Sequence, residues 1–87
     1  MKHDVRHLVR LVPYGKPMTI VITDTSDLGQ AVRAARRAQK LRLEDVAAAA
    51  GTGVRFVSEL ERGKPTAQLG ETLRVLNAVG LRVNLEA

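Results

Sequence analysis

Residues 43 to 64, LEDVAAAAGTGVRFVSELERGK, constrain this chain more than any other stretch. Glu44 to Ala50 are strong helix formers with no breaker among them. Gly51, Thr52 and Gly53 interrupt that pattern, and glycine lets a chain reverse direction with φ > 0 at little cost. A second helical period follows, with Val57 and Leu60 on one face and Arg55, Ser58, Glu59 and Arg62 on others. Gly63 and Pro65 stop it, because glycine is favoured just past a helix and proline soon after. The pattern is a helix, a tight turn and a second short helix.

The flanks supply further elements. Residues 1 to 17 form an N-terminal extension or arm: Val5, Leu8, Val9 and Val12 have helical spacing, while Val9 and Leu11 suit a strand equally well. Pro13, Gly15 and Pro17 break the chain there, and Met18 is a candidate alternative start. Residues 18 to 25, MTIVITDT, are β-branched almost throughout and predict a short strand, which needs a partner in water. Ser26 or Asp27 is placed to cap a first helix running to about Gln39, with Leu28, Ala31, Val32, Ala35 and Ala38 on its apolar face. Val46, Ala47 and Ala50 are the core side of the second helix. Thr66 is the expected cap of a fourth helix over about Ala67 to Val79, with Leu69, Leu73, Leu76 and Val79 as its stripe. Gly80 stops it, and the alternation in LRVNL predicts a strand at 81 to 85 with Leu81, Val83 and Leu85 on one face. The chain divides into an arm (1–17), a strand (18–25), a helical domain (26–80) and a terminal strand (81–87).

Composition narrows the function. The 87 residues suffice for one domain with a thin core, a size that often recruits a partner surface. There is no cysteine, so disulfides and thiolate zinc sites are excluded. His3 and His7 are four apart, but nothing near them completes a ligand set, and no cofactor is implied. No run of eighteen apolar residues or signal peptide is present, which predicts a cytoplasmic protein without a membrane partner. The formal net charge is +5, and Arg33, Arg36, Arg37, Lys40 and Arg42 fall within ten residues that hold no acid. Alone, such a run is a solvated helix face; beside a helix–turn–helix pair it is suited to phosphate contacts. With Tyr14 and Phe56 as the only aromatics, base stacking on single strands is disfavoured. No acid/base dyad, nucleophile–histidine pair, phosphate loop or small-molecule pocket points to an enzyme.

AAAAGTGVRFVSELERGKPT resembles the helix-turn-helix motif of XRE/Cro-type repressors. RFVSELERGKPT followed by LRVLNAVGLRV is similar, more narrowly, to the HipB-type antitoxins. The resemblance implies a mainly α, lambda-repressor-like bundle of four to five helices with short terminal strands that pair in a dimer. It places Val54, Arg55, Ser58 and Glu59 towards bases in the major groove. Arg55 is the best base reader, since its forked donors match guanine O6 and N7; a phosphate contact is its alternative. Glu59 either accepts from cytosine N4 or pairs with a neighbouring arginine, and the pairing is preferred because phosphate repels a carboxylate. Phe56 reads as packing. Arg37, Lys40, Arg42, Gly53, Arg62, Lys64 and Thr66 are the phosphate candidates. Arg36 and Glu61 occupy positions that form a buried or half-buried ion pair in the resembling repressors. The chain departs from the family at Leu43, commonly Gln, and at Gly53, usually Ser or Thr, which removes polar contacts.

Three functions follow as expectations. The first is a homodimeric repressor of its own operon, bound to palindromic duplex DNA and acting as antitoxin to a HipA-like kinase toxin. The second is a stand-alone Cro/XRE-type regulator. The third is a helix-turn-helix used only for protein interaction. In the first, Leu81, Val83 and Leu85 form the dimer strand, with residues 18 to 23 joining it or pairing with it inside one subunit.

Overall fold

A computed structural model of the chain describes residues 9–12 and 20–86, with the side chains of 20–86. The order is β1 (Val9–Val12), β2 (Ile20–Val21), α1 (Thr25–Ala38), α2 (Leu43–Ala50), α3 (Val54–Glu61), α4 (Leu69–Ala78) and β3 (Arg82–Leu85). Four helices are thus present among the described residues, with α3 packed on α1 and α2, and α2 packed on α4.

Val32, Val46, Val57, Leu60, Val75, Leu76, Val79 and Leu81 form the core, with Ala31, Ala47 and Ala50 at the close approaches. Three helices close by the same device: past the caps of α1, α3 and α4, the amides of the next two residues return to carbonyls of the last turn, whereas at α2 the amides of the cap Gly51 and of Thr52 do so. Glycine takes the left-handed position after α2, α3 and α4, whereas Lys40, at φ 58°, takes it after α1.

The termini of the helices differ from expectation. Asp24, not Ser26 or Asp27, caps α1: its carboxylate accepts from the Asp27 amide at 2.8 Å. Asp27 is used in reverse, accepting from the Thr23 amide at 3.1 Å and its hydroxyl at 2.7 Å. Those bonds from Thr23 hold the Asp27 carboxyl below its ordinary pKa. Gln68, not Thr66, caps α4, its side-chain oxygen 2.6 Å from the Glu71 amide, so the helix starts at Leu69. Ala38 is exposed rather than apolar-face core.

The buried face of α4 is also rotated from the expected stripe. Leu76 and Val79 are buried as expected, but Leu69 and Leu73 are 70% and 46% exposed, and Thr72 and Val75 are buried in their place. Thr72 can be buried because its hydroxyl donates to the Gln68 carbonyl at 2.8 Å. That satisfied threonine and Val75 join Leu76 and Val79 on the side where α4 meets the rest of the core, and Leu69 and Leu73 are left outside.

The terminal strand is not isolated. The three strands form one sheet in the order β2-β1-β3, with β1 antiparallel to both neighbours. Val9 lies opposite Leu85, Val12 opposite Arg82 and Leu11 opposite Ile20. Residues 9–12 are therefore strand rather than helix, and β2 is only two residues long. β2 and β3 do not pair with each other. Of the expected apolar face of β3, Leu81 is buried while Val83 and Leu85 stay exposed within the chain. Residues 1–8, with His3 and His7, and residues 13–19, with Met18, lie outside the described residues.

Candidate DNA interface

The outward face of α3 gathers the residues expected to read bases. Val54 is exposed at its first turn, the Arg55 side chain is 90% exposed, and Ser58 and Glu59 are half-buried below them. Val57 and Leu60 on the opposite side fix the rotation of the helix, and Phe56 packs against the core from its flank. Glu59 bridges two cations, accepting from Arg55 Nε at 3.3 Å and Lys64 Nζ at 3.0 Å. Lys64 first, and Arg55 second, hold its carboxyl below the ordinary glutamate value.

The phosphate candidates fall in three places along the chain: after α3, at the end of α1, and just before α2 and α3. Arg62 and Lys64 are exposed just past its C-terminus, and Thr66 is exposed in the following turn. Arg37 and Lys40 are exposed at the end of α1. Arg42 is the residue before α2, where its amide donates to Asp45 Oδ2 at 2.8 Å and its guanidinium lies 3.7 Å from the same oxygen. Gly53 precedes α3 with extended backbone and supplies no side-chain cap. These exposed basic groups give the surface a sign suited to a polyanion.

Arg36 and Glu61 stand apart from that surface and tie α1 to the end of α3. Arg36 Nε is 2.6 Å from Glu61 Oε2 and Nη2 is 3.0 Å from Oε1, a forked pair with side chains only 14% and 8% exposed. Its third donor, Nη1, reaches the Leu41 carbonyl at 3.0 Å, so one guanidinium also fixes the α1–α2 link. The bond to Glu61 raises the Arg36 pKa above its ordinary value.

Two further contacts of this junction were not anticipated from sequence. A Cβ on Gly29 would lie 2.5 Å from the Leu60 and Glu61 carbonyl oxygens, so α1 touches the backbone of α3 directly. At Gly63, where φ is +85°, a Cβ would lie 2.9 Å from Ser26 Cα, and the Gly63 carbonyl accepts from the Thr25 hydroxyl at 2.8 Å. A signal was available for the first: a helix-interior glycine costs about 1 kcal/mol relative to alanine, so its presence calls for a packing reason.

Among the described residues no group of three or more His, Cys, Asp or Glu could hold a metal, and no helix is long and apolar enough to cross a membrane. A shallow recess of about 290 Å³ between β2 and α1 is lined by Ile20, Val21, Asp27, Gln30, Ala31 and Ala34, and takes no residue from α3.

The family profile described as "Helix-turn-helix domain" matches residues 27–87. The chain belongs to the helix-turn-helix domain family. This helix-turn-helix protein is 44% identical over 66 residues to the "Uncharacterized HTH-type transcriptional regulator y4mF" of Sinorhizobium fredii (strain NBRC 101917 / NGR234), covering 76% of this chain and 87% of that one. It is also similar to the crystal structure of the restriction-modification controller protein C.AhdI from Aeromonas hydrophila. The TM-score is 0.58 at 29% identity, over 63% of this chain and 83% of C.AhdI. Together these make the chain an XRE-type helix-turn-helix transcriptional regulator, and its four-helix fold is that of this family.

Proposed function

We propose that this regulator is a sequence-specific repressor that binds duplex operator DNA as a homodimer, with α3 in the major groove. One observation carries the reading: α3 is clamped from behind by the core while Val54, Arg55, Ser58 and Glu59 remain on its open side. Arg55 reads a base, and Arg62, Lys64, Thr66, Arg37, Lys40, Arg42 and the Gly53 backbone engage phosphates. Glu59 pairs with Arg55 and Lys64 rather than with DNA.

The outer edge of β3 supports a palindromic mode with a second copy. β3 is the last strand of its sheet, so among the described residues its outer edge has no partner, and Val83 and Leu85 are exposed on it. Edge-to-edge pairing of two β3 strands about a two-fold axis would satisfy that edge and cover Leu85. The exposed Leu69 and Leu73 add apolar surface for the same purpose. The HipB-type reading adds a kinase toxin to this complex; it rests on the Arg55 to Thr66 motif and the terminal strand, and co-purification of a kinase with the tagged regulator from its host decides it.

Fluorescence anisotropy with the duplex upstream of its own gene tests the reading. Binding should fall steeply with salt, by about 10³-fold or more between 50 and 200 mM for a protein that neutralises six or more phosphates. Arg55→Ala should relax preference at one base position by roughly 1–3 kcal/mol. Equal loss on every sequence would make Arg55 a phosphate contact, and no binding at any salt would leave a protein-interaction module. Sedimentation of a chain lacking residues 81–87 should show monomer; a persisting dimer would move the interface elsewhere.

A further inference from the structure

The turn before α3 is held from outside by α4. The Thr52 hydroxyl donates to Glu71 Oε2 at 2.7 Å, and Arg74 Nε donates to the Ala50 carbonyl at 3.1 Å. Glu71 and Arg74 are three apart, so one face of α4 grips both the side chain of the turn and the backbone that leads into it. The need for such a grip is local. Gly53 offers no side chain to the free amides of the first turn of α3. At the other side of the turn, the Ala47 and Ala48 carbonyls are taken by the Thr52 and Gly51 amides, and α2 has no basic residue in its last turn to meet the remaining carbonyls. The Arg74 guanidinium supplies that charge at Ala50. The base of the grip is firm: the Glu71 amide is bonded to Gln68, and Val75, Leu76 and Val79 anchor α4 in the core.

We propose that Glu71 and Arg74 are positioning residues for DNA reading: through Thr52 and Ala50, α4 sets the seating of the N-terminal turn of α3, which Gly53 leaves without a side-chain cap. The proposal rests on the reading of α3 as the DNA-contacting helix. It says that base discrimination, which begins at Val54 and Arg55, depends on a helix that itself touches no base.

Two readouts separate the proposal from that reading. The first is amide hydrogen exchange on the free full-length protein. Thr52→Val and Glu71→Ala should each speed exchange at Val57, whose amide closes the first turn of α3 on Gly53, by about tenfold while leaving Gly63 and Lys64 unchanged. Thr52→Ser and Glu71→Gln, which keep a hydroxyl and an acceptor, should behave as wild type. The second readout is anisotropy on the upstream duplex and on an unrelated duplex of equal length. Thr52→Val, Glu71→Ala and Arg74→Met should each narrow the ratio of the two affinities about five- to twenty-fold without altering the salt slope. The Thr52→Val/Glu71→Ala double variant should be no worse than either single one. Unchanged exchange at Val57, equal loss on both duplexes, or additive losses would overturn the proposal. A wild-type protein that fails to distinguish the duplexes, with exchange responding as stated, would instead sink the reading of α3 and confine α4 to a structural grip.

Discussion

The two ends of α3 are held in opposite ways. At the C-terminal end, α1 meets the helix backbone directly at Gly29, takes the Gly63 carbonyl with Thr25, and adds the forked Arg36–Glu61 pair. At the N-terminal end, Gly53 has no neighbour within 4 Å of where a Cβ would be, and the turn before it is tethered by two hydrogen bonds to α4. One end is interlocked and the other is suspended. The difference teaches that a helix can be firmly placed while one of its ends has no side-chain cap. Arg55, with its exposed side chain, projects from the suspended end, whereas Arg62 and Lys64 follow the interlocked one.

The contrast can be broken by substitution. Glu61→Ala should have the largest effect, a loss of about 3 kcal/mol in urea unfolding, because it strands a poorly solvated guanidinium. A loss below about 1 kcal/mol, the range of an exposed pair, would make the two ends equivalent. Gly29→Ala comes next: forcing a methyl against the Leu60 and Glu61 carbonyls should cost a net of about 2 kcal/mol, even though alanine gains about 1 kcal/mol over glycine in a helix. At this chain length that is a fall of roughly 10 °C in thermal midpoint. Gly53→Ser should be accepted in the open space before α3 and stabilise the chain by only a few tenths of a kcal/mol, measured in the same urea titration. A clash-sized loss there would mean the suspended end is crowded after all.

The smallest expected effect is on pH dependence. Lys64 and Arg55 depress the Glu59 pKa, so the pairing stabilises the folded chain above the ordinary glutamate value and is lost as pH falls through the lowered folded value. Wild type and Glu59→Gln, compared by thermal midpoint from neutral pH downwards, should therefore differ most at neutral pH and converge in acid. Added salt should shrink the neutral-pH gap, because Glu59 lies at the surface. A gap that widens on acidification would reverse the sign and remove the pairing.

Local chemistry made much of this legible. The alanine run, Gly51 and Gly63 delimit α2 and α3 because glycine in a left-handed turn leaves few alternatives. Val57 and Leu60 then settle which side of α3 faces inward. The link between Arg36 and Glu61, twenty-five residues apart, came from resemblance to a motif rather than from spacing. What stayed hidden depends on choices among near-equivalents. TDTSD holds several residues able to cap, and PTAQ holds two, so the winner is decided by where the helix must dock. On α4, Leu69 and Leu73 continue the apolar stripe of Leu76 and Val79 better than Thr72 and Val75 do, yet it is Thr72 and Val75 that meet the core. The pairing of β1 with β3 and of Thr52 with Glu71 joins distant parts of the chain, and no periodicity within either segment encodes it.

β1 sits in the middle of its sheet although it comes first among the described elements. A variant cut back to residues 18–87 would keep β2 and β3 and lose what joins them. Strands one position apart are separated by about 4.8 Å, so the survivors would face each other across a gap of roughly 10 Å, too wide for any backbone bond. Two ribbon edges, each a docking template, would then replace a closed seam. Removing residues 1–17 would thus change not only the length of this regulator but also how readily one copy adheres to the next.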